Sequence, residues 1–222
     1  MSASRSARTV WAILRKECRS EWRTRYGLNA ALLFSVTTLT AVSFAAGRLG
    51  DRTDLLAALL WIVLLFASLA SLSHAFVREV EGQTLSMLRR VASPLEIATG
   101  KLLFNVLFLL VLEGVTVPLF LVLMGAPPAR WGTLFGLLAL GSAALAISST
   151  LIGALSAQTR GRGALFAGVS FPLLLPVLAA AVSGTRAQWQ NLAAGGEVRL
   201  LTAYAAALLA VGVLLVDHLW EE

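Results

Sequence analysis

Few residues in this 222-residue chain are equipped for chemistry, and most of those lie inside apolar runs. Glu113 stands out, because its carboxyl falls midway through the run at 102–124. An isolated ionised carboxylate in hydrocarbon is costly, so Glu113 is expected to be protonated, paired or turned into a bundle interior. Gly114 and Pro118 follow it, which leaves two readings open: a loosened helix at a gate, or a neutral acid hydrogen-bonded to a serine or threonine of a neighbouring helix. His74 and His218 lie near the ends of other apolar runs, with Asp217 beside the second. Either histidine could in principle ligate haem iron, but a side chain at a span end also reaches the headgroups. Cys18 is the only cysteine, which excludes an intrachain disulfide and a thiolate metal cluster. Gly100-Lys101 lacks the upstream glycines and the following hydroxyl of a phosphate loop, so the chain is not expected to bind ATP by that route. There is no His-Glu-x-x-His pair. No catalytic, cofactor-binding or metal site is expected.

The elements around these residues belong to a membrane. The chain is 58% hydrophobic and 14% charged, with mean hydropathy +0.80. Soluble domains carry about 25% charged residues and about 45–50% apolar ones. Runs of about 20 apolar residues can cross a bilayer as helices, and six are read here, at 28–46, 55–77, 102–124, 133–157, 164–182 and 200–219. The fold class is an all-α integral membrane protein. The net charge of +6 would suggest nucleic acid in a soluble domain. Here the basic residues sit between apolar runs, and no nucleic-acid partner is expected.

Residues 1–9 read as a frayed tail without the layout of a signal peptide. From Val10 to Tyr26, Trp11, Leu14, Cys18 and Trp22 recur at steps of three and four and share a helix face. Lys16, Arg19 and Arg23 lie off that face. This predicts an amphipathic helix in the membrane interface, anchored by Trp11 and Trp22, within a first region at 1–27. The alternative is a helix that docks on a protein partner. A six-span region at 28–222 follows. Small residues from Gly136 to Gly153 suit the fourth span to close helix packing. Pro172 and Pro176 predict a kinked or broken fifth span. The region 183–199 reads as a longer polar outer connection. With an inside N-terminus, thirteen of the 18 basic residues fall on the cytoplasmic side and five outside, which places both termini in the cytoplasm.

The longest polar insertion between spans is 78–101. Arg78, Glu79 and Glu81 open it, and Gly82 breaks the preceding helix. Leu85, Met87 and Leu88, followed by Arg89-Arg90, form a short amphipathic element bounded by Pro94. Reversing direction needs only a handful of residues, so this loop is long enough to hold a helix against a soluble motor. The other inner loop, 158–163, is short and basic.

The stretch FVREVEGQTLSMLRRVASPLEIATGKLLFN at 76–105 resembles the cytoplasmic loop of the CcmB family, the permease subunits of the cytochrome c maturation ABC transporter. LSAQTRGRGALFAGVSFPLLLPVLAAAV at 155–182 is similar to that family's fifth span. The resemblance implies a six-span exporter-type permease of the bacterial inner membrane with an interfacial N-terminal helix. It implies that Arg78, Glu79, Glu81, Gly82, Leu85, Leu88, Pro94 and Lys101 form a loop coupled to a separate ATPase. Arg160, Gly161 and Arg162 would lie in the second cytoplasmic loop, and Pro172 and Pro176 would shape span five. Implied partners are that ATPase subunit, a second copy of the chain, a haem-handling membrane subunit and a small single-span subunit. ATP would bind the partner, and haem would be handled within the complex. Arg89-Arg90 makes this loop more basic than the resemblance implies.

Two other classes share part of this pattern. A permease for a lipid, glycan or drug would use the same loop physics. An intramembrane enzyme would have to join Glu113 to His74.

Overall fold

The computed structural model describes residues 2–47, 49, 52–81, 92–128, 130–157 and 162–219. Its secondary structure is helical: α1 (Ser2–Thr24), α2 (Tyr26–Ala46), α3 (Thr53–Glu81), α4 (Pro94–Met124), α5 (Trp131–Ala157), α6 (Arg162–Trp189) and α7 (Gly195–Leu219). Four contain segments long and apolar enough to cross a membrane: Tyr26–Ala46, Pro94–Met124, Trp131–Gly153 and Gly195–Leu214. The chain is therefore a multi-pass membrane bundle. α3 and α6 are as long, at 29 and 28 residues, and the described part of α3 includes an apolar stretch at Thr53–Ala67.

Local chemistry sets the ends of these helices. Ser93 caps α4 in a reciprocal box with Glu96: the Glu96 N–H donates to Ser93 Oγ at 3.4 Å, and the Ser93 N–H donates to Glu96 Oε2 at 3.0 Å. Pro94 occupies the first turn, where its missing N–H costs nothing. Gly125 ends α4 in the left-handed conformation at φ 63, and Pro127-Pro128 then prevents the helix from continuing.

α5 lies at the centre, packed against α3, α4, α6 and α7. In its apolar segment 67% of residues are buried, against 17% in those of α2 and α7, so α2 and α7 form the periphery. The small residues of α5 explain its position. A Cβ on Gly141 would overlap the ring of Trp61 from α3, so the indole sits against bare backbone. Trp61 Nε1 then donates to Thr185 Oγ1 on α6 at 2.9 Å. Ser148 and Ser149 return their hydroxyls to the carbonyls of Ala144 and Leu145 within α5. On the outside of the bundle, Phe44, Val122 and Leu214 stand open, as expected where the solvent is lipid.

Three expectations change. The stretch read as a frayed tail is helical from Ser2 onward, and Thr9 Oγ1 donates to the Arg5 carbonyl within it. α6 is not broken at Pro172 and Pro176 but runs unbroken from Arg162 to Trp189. Each proline removes one backbone donor, a loss that helices packed among neighbours tolerate, and α6 is flanked by α3, α5 and α7. The stretch read as an outer connection, 183–199, is mostly helix: 183–189 complete α6 and 195–199 open α7, leaving 190–194 as the link. Polar side chains there bind neighbouring elements, so polarity does not mark a loop. Ser183 Oγ donates to Glu197 Oε1 at 3.2 Å, and Gln190 Nε2 donates to Thr53 Oγ1 at 3.0 Å.

Candidate functional site

Two places bring chemically distinctive residues together: the junction of α1 with the first turns of α4, and the middle of the α4–α5 contact.

At the junction, α1 lies along α4. Ile13 is buried against Gly100, where an added Cβ would come within 2.7 Å of Ile13 Cγ2. Only glycine permits this approach without a shift. Ile97 is fully buried beside it. Glu17 sits on the same stripe, one turn past Ile13, and is 7% exposed. Its Oε1 accepts from Lys16 Nζ at 3.0 Å and lies 4.0 Å from Lys101 Nζ. Glu96 lies beside the Ser6 side chain of α1. Burial first, then the charge of Glu17, push the Cys18 thiol above the ordinary 9.0.

The predicted loop residues divide around this junction. Arg78, Glu79 and Glu81 lie on the last turns of α3, with their side chains outside the described set. Gly82, Leu85 and Leu88 lie outside the described residues, as do Arg160 and Gly161. Arg162 opens α6, its side chain also undescribed. Pro94 starts α4, and Lys101 faces Glu17 of α1. Trp11 and Trp22 are exposed, at 66% and 74%. α1 therefore has two apolar faces, one buried on α4 through Ile13 and one left outward.

In the bundle, Ser142 Oγ on α5 donates to Glu113 Oε1 on α4, and both residues are buried. Asn105 Nδ2 donates to Thr150 Oγ1 at 2.9 Å across the same pair of helices. Thr116 Oγ1, one turn beyond Glu113, is buried without a hydrogen-bond partner. Glu113, Gly114 and Pro118 line a half-open groove of about 560 Å³, with Trp131 and Phe135 on its other side. This arrangement matches the hydrogen-bonded-acid reading, and α4 continues through Pro118 as one helix. The His74 side chain lies outside the described set. At about 1.5 Å of rise per residue, His74 is roughly 10 Å from the loop end of α3, and Glu113 roughly 28 Å from that of α4. Their depths differ too much for joint chemistry. Among the described residues, no group of three or more His, Cys, Asp or Glu could hold a metal ion.

Sequence reasoning missed Glu17 and the Ser93–Glu96 box. The second had a plain signal, Ser-Pro-Leu-Glu before an apolar run. The first had only the i, i+4 spacing from Ile13.

The family model described as "CcmB protein" matches residues 8–218, nearly the whole chain. The chain belongs to the CcmB family. Two curated relatives carry the same printed name, "Heme exporter protein B". The protein from Rhodobacter capsulatus is 28% identical over 202 residues, covering 90% of this chain and 93% of its own. The protein from Bradyrhizobium diazoefficiens is 29% identical over 178 residues, covering 79% and 80%. The family match takes in α1 from Arg8 onward, so the helix on α4 is part of the shared unit.

Proposed function

We propose that this chain is the membrane permease subunit of an ABC-type complex serving cytochrome c maturation. It has no catalytic site of its own in this reading. It crosses the inner membrane six times, with α3 and α6 as spans alongside the four apolar helices, and both termini are cytoplasmic. α1 lies in the inner interface with Trp11 and Trp22 toward lipid. The segment 78–101 couples to a separate ATPase, with Arg160, Gly161 and Arg162 on the same side. Two copies assemble with two ATPase subunits, a haem-handling membrane subunit and a small single-span subunit. Haem is the cargo of that complex, either exported or released with its periplasmic chaperone.

The observation that carries this reading is the match over 8–218 to a family whose curated relatives are named heme exporter protein B. The insertion between α3 and α4 supports it, because its resuming end is built as a rigid joint. Ser93 caps α4, and Glu96 and Lys101 meet α1. A displacement delivered at the loop would reach α4 and α1 together.

The test reverses the charge of Glu79 and Glu81. The doubly reversed protein is expected to insert normally, to recover less ATPase subunit on purification and to lower cytochrome c assembly. Full recovery of both would refute the coupling assignment.

A further inference from the structure

We propose that the elbow between α1 and α2 is a binding site for one anionic phospholipid. Its phosphate would meet Arg25, and its acyl chain would lie along α4. The site rests on the reading that α1 occupies the membrane interface.

A groove of about 380 Å³ opens where α1, α2 and α4 meet. Its floor is Phe104, Leu107 and Val111, at successive turns of an apolar, membrane-length helix. Leu107 and Val111 are 45% and 46% exposed. From 104 to 111 the floor runs roughly 10 Å at about 1.5 Å per residue, more than half the length of an extended acyl chain. A small free anion has no use for such a floor.

The rim is polar. Arg25 sits at φ 52, a left-handed conformation that side-chain-bearing residues rarely adopt. Its guanidinium lies 5.2 Å from the centroid of the Trp22 ring, and its Nε donates to the Trp22 carbonyl at 3.4 Å. Among the described residues, no carboxylate lies within ion-pair distance of Arg25. Glu21 shares the rim, but its Oε1 accepts the Leu28 N–H at 2.8 Å and caps α2. A strained residue held in place by two contacts is typical of a ligand clamp. What it presents is a cation above an apolar trough, beside an exposed tryptophan. A neutral lipid would fill the trough and leave the arginine without a counter-ion. An anionic phospholipid satisfies both ends.

The experiment uses the full chain in vesicles of phosphatidylcholine with a minor share of dibrominated lipid. The signal is the quenching of Trp22, read as the difference between the wild type and Trp22→Phe. Brominated phosphatidylglycerol should quench in preference to brominated phosphatidylcholine by about fivefold, the effect of one arginine beside an anionic headgroup. The preference should vanish in Arg25→Gln and in Arg25→Gly, the second of which relieves backbone strain and so should not fail to fold. Inorganic phosphate should leave it unchanged. Equal quenching by the two lipids overturns the proposal alone. Absence of quenching by both overturns it together with the interfacial placement of α1. A preference that survives in both Arg25 variants moves it to the diffuse charge of α1, and loss of the preference to phosphate excludes the lipid. Each of these last two results also overturns the proposal.

Discussion

The indole of Trp61 occupies the space that Gly141 leaves on α5, and from there it reaches Thr185 on α6. One side chain thus ties three helices. Gly141→Ala must push either the ring or the α5 backbone, and overpacking of this kind costs about 1–3 kcal/mol. The variant should unfold at lower temperature in detergent when followed by size-exclusion fluorescence. Trp61→Phe removes the ring edge that fills the Gly141 space as well as the hydrogen bond to Thr185, so it should also lower stability. In that background Gly141→Ala should cost less than it does in the wild type, and an equal cost in the two backgrounds would make the packing account wrong.

The carboxyl of Glu113 depends on Ser142. Removing the hydroxyl in Ser142→Ala leaves a buried acid without its donor, which costs about 1–3 kcal/mol. Glu113→Gln retains an acceptor for Ser142 and should sit close to the wild type. Thermal unfolding of the two variants side by side checks this, and equal losses would remove the hydrogen bond from the stability account.

Lys101 carries two assignments: the resemblance puts it in the coupling loop, and the geometry sets it against Glu17. Lys101→Gln and Glu17→Gln should each destabilise the junction by up to about 1 kcal/mol, because at 4.0 Å the two form an ion pair without a hydrogen bond. The double variant should lose less than the sum. Exchanging the charges, Glu17→Lys with Lys101→Glu, should restore part of the stability. Simple additivity would show that the two do not interact and would leave Lys101 to the ATPase.

Cys18 offers a pH-dependent readout. Burial first, then Glu17, disfavour its thiolate, so the folded thiol titrates above its unfolded value. The stability linked to this group is fully present below the unfolded pKa and is lost as pH rises through the folded one. Its alkylation-rate profile should therefore lie at higher pH than that of a free thiol. Glu17→Gln should shift the profile downward and speed labelling at a fixed pH near 8. An unshifted profile in that variant would place the Glu17 charge away from the sulfur.

Much of this architecture was legible in the residues. Apolar runs marked α2, α4, α5 and α7, because a lipid-facing helix must be apolar over its whole length. The small residues of α5 pointed to the helix that others crowd. The partner of Glu113 was anticipated as a class, a hydroxyl on a neighbouring helix, but not as Ser142, because which faces meet depends on tertiary packing. Polarity misled at 183–199, where serine, glutamine and tryptophan serve contacts between helices. Proline does not break α6, where the neighbours on its flanks outweigh local propensity. The stripe chosen on α1, Trp11 to Trp22, left out the face through Ile13 and Glu17 that the bundle buries. Nothing local marks a charged residue on that face as buried, and only Gly100 and Lys101 on a distant segment explain it.

The polar contacts around 183–190 all fall at one rim of the bundle. Gln190 reaches Thr53 at the start of α3, Trp189 reaches the Ala126 carbonyl, Gln188 reaches the Arg130 carbonyl, and Ser183 reaches Glu197 on α7. Ser43 near the end of α2 adds a longer contact to the Leu123 carbonyl. A bundle laced at one rim can deform easily only by splaying at the other, where α1 packs on the start of α4. Under the proposed coupling the laced rim is the fulcrum, and the crossings should part least where the lacing is densest.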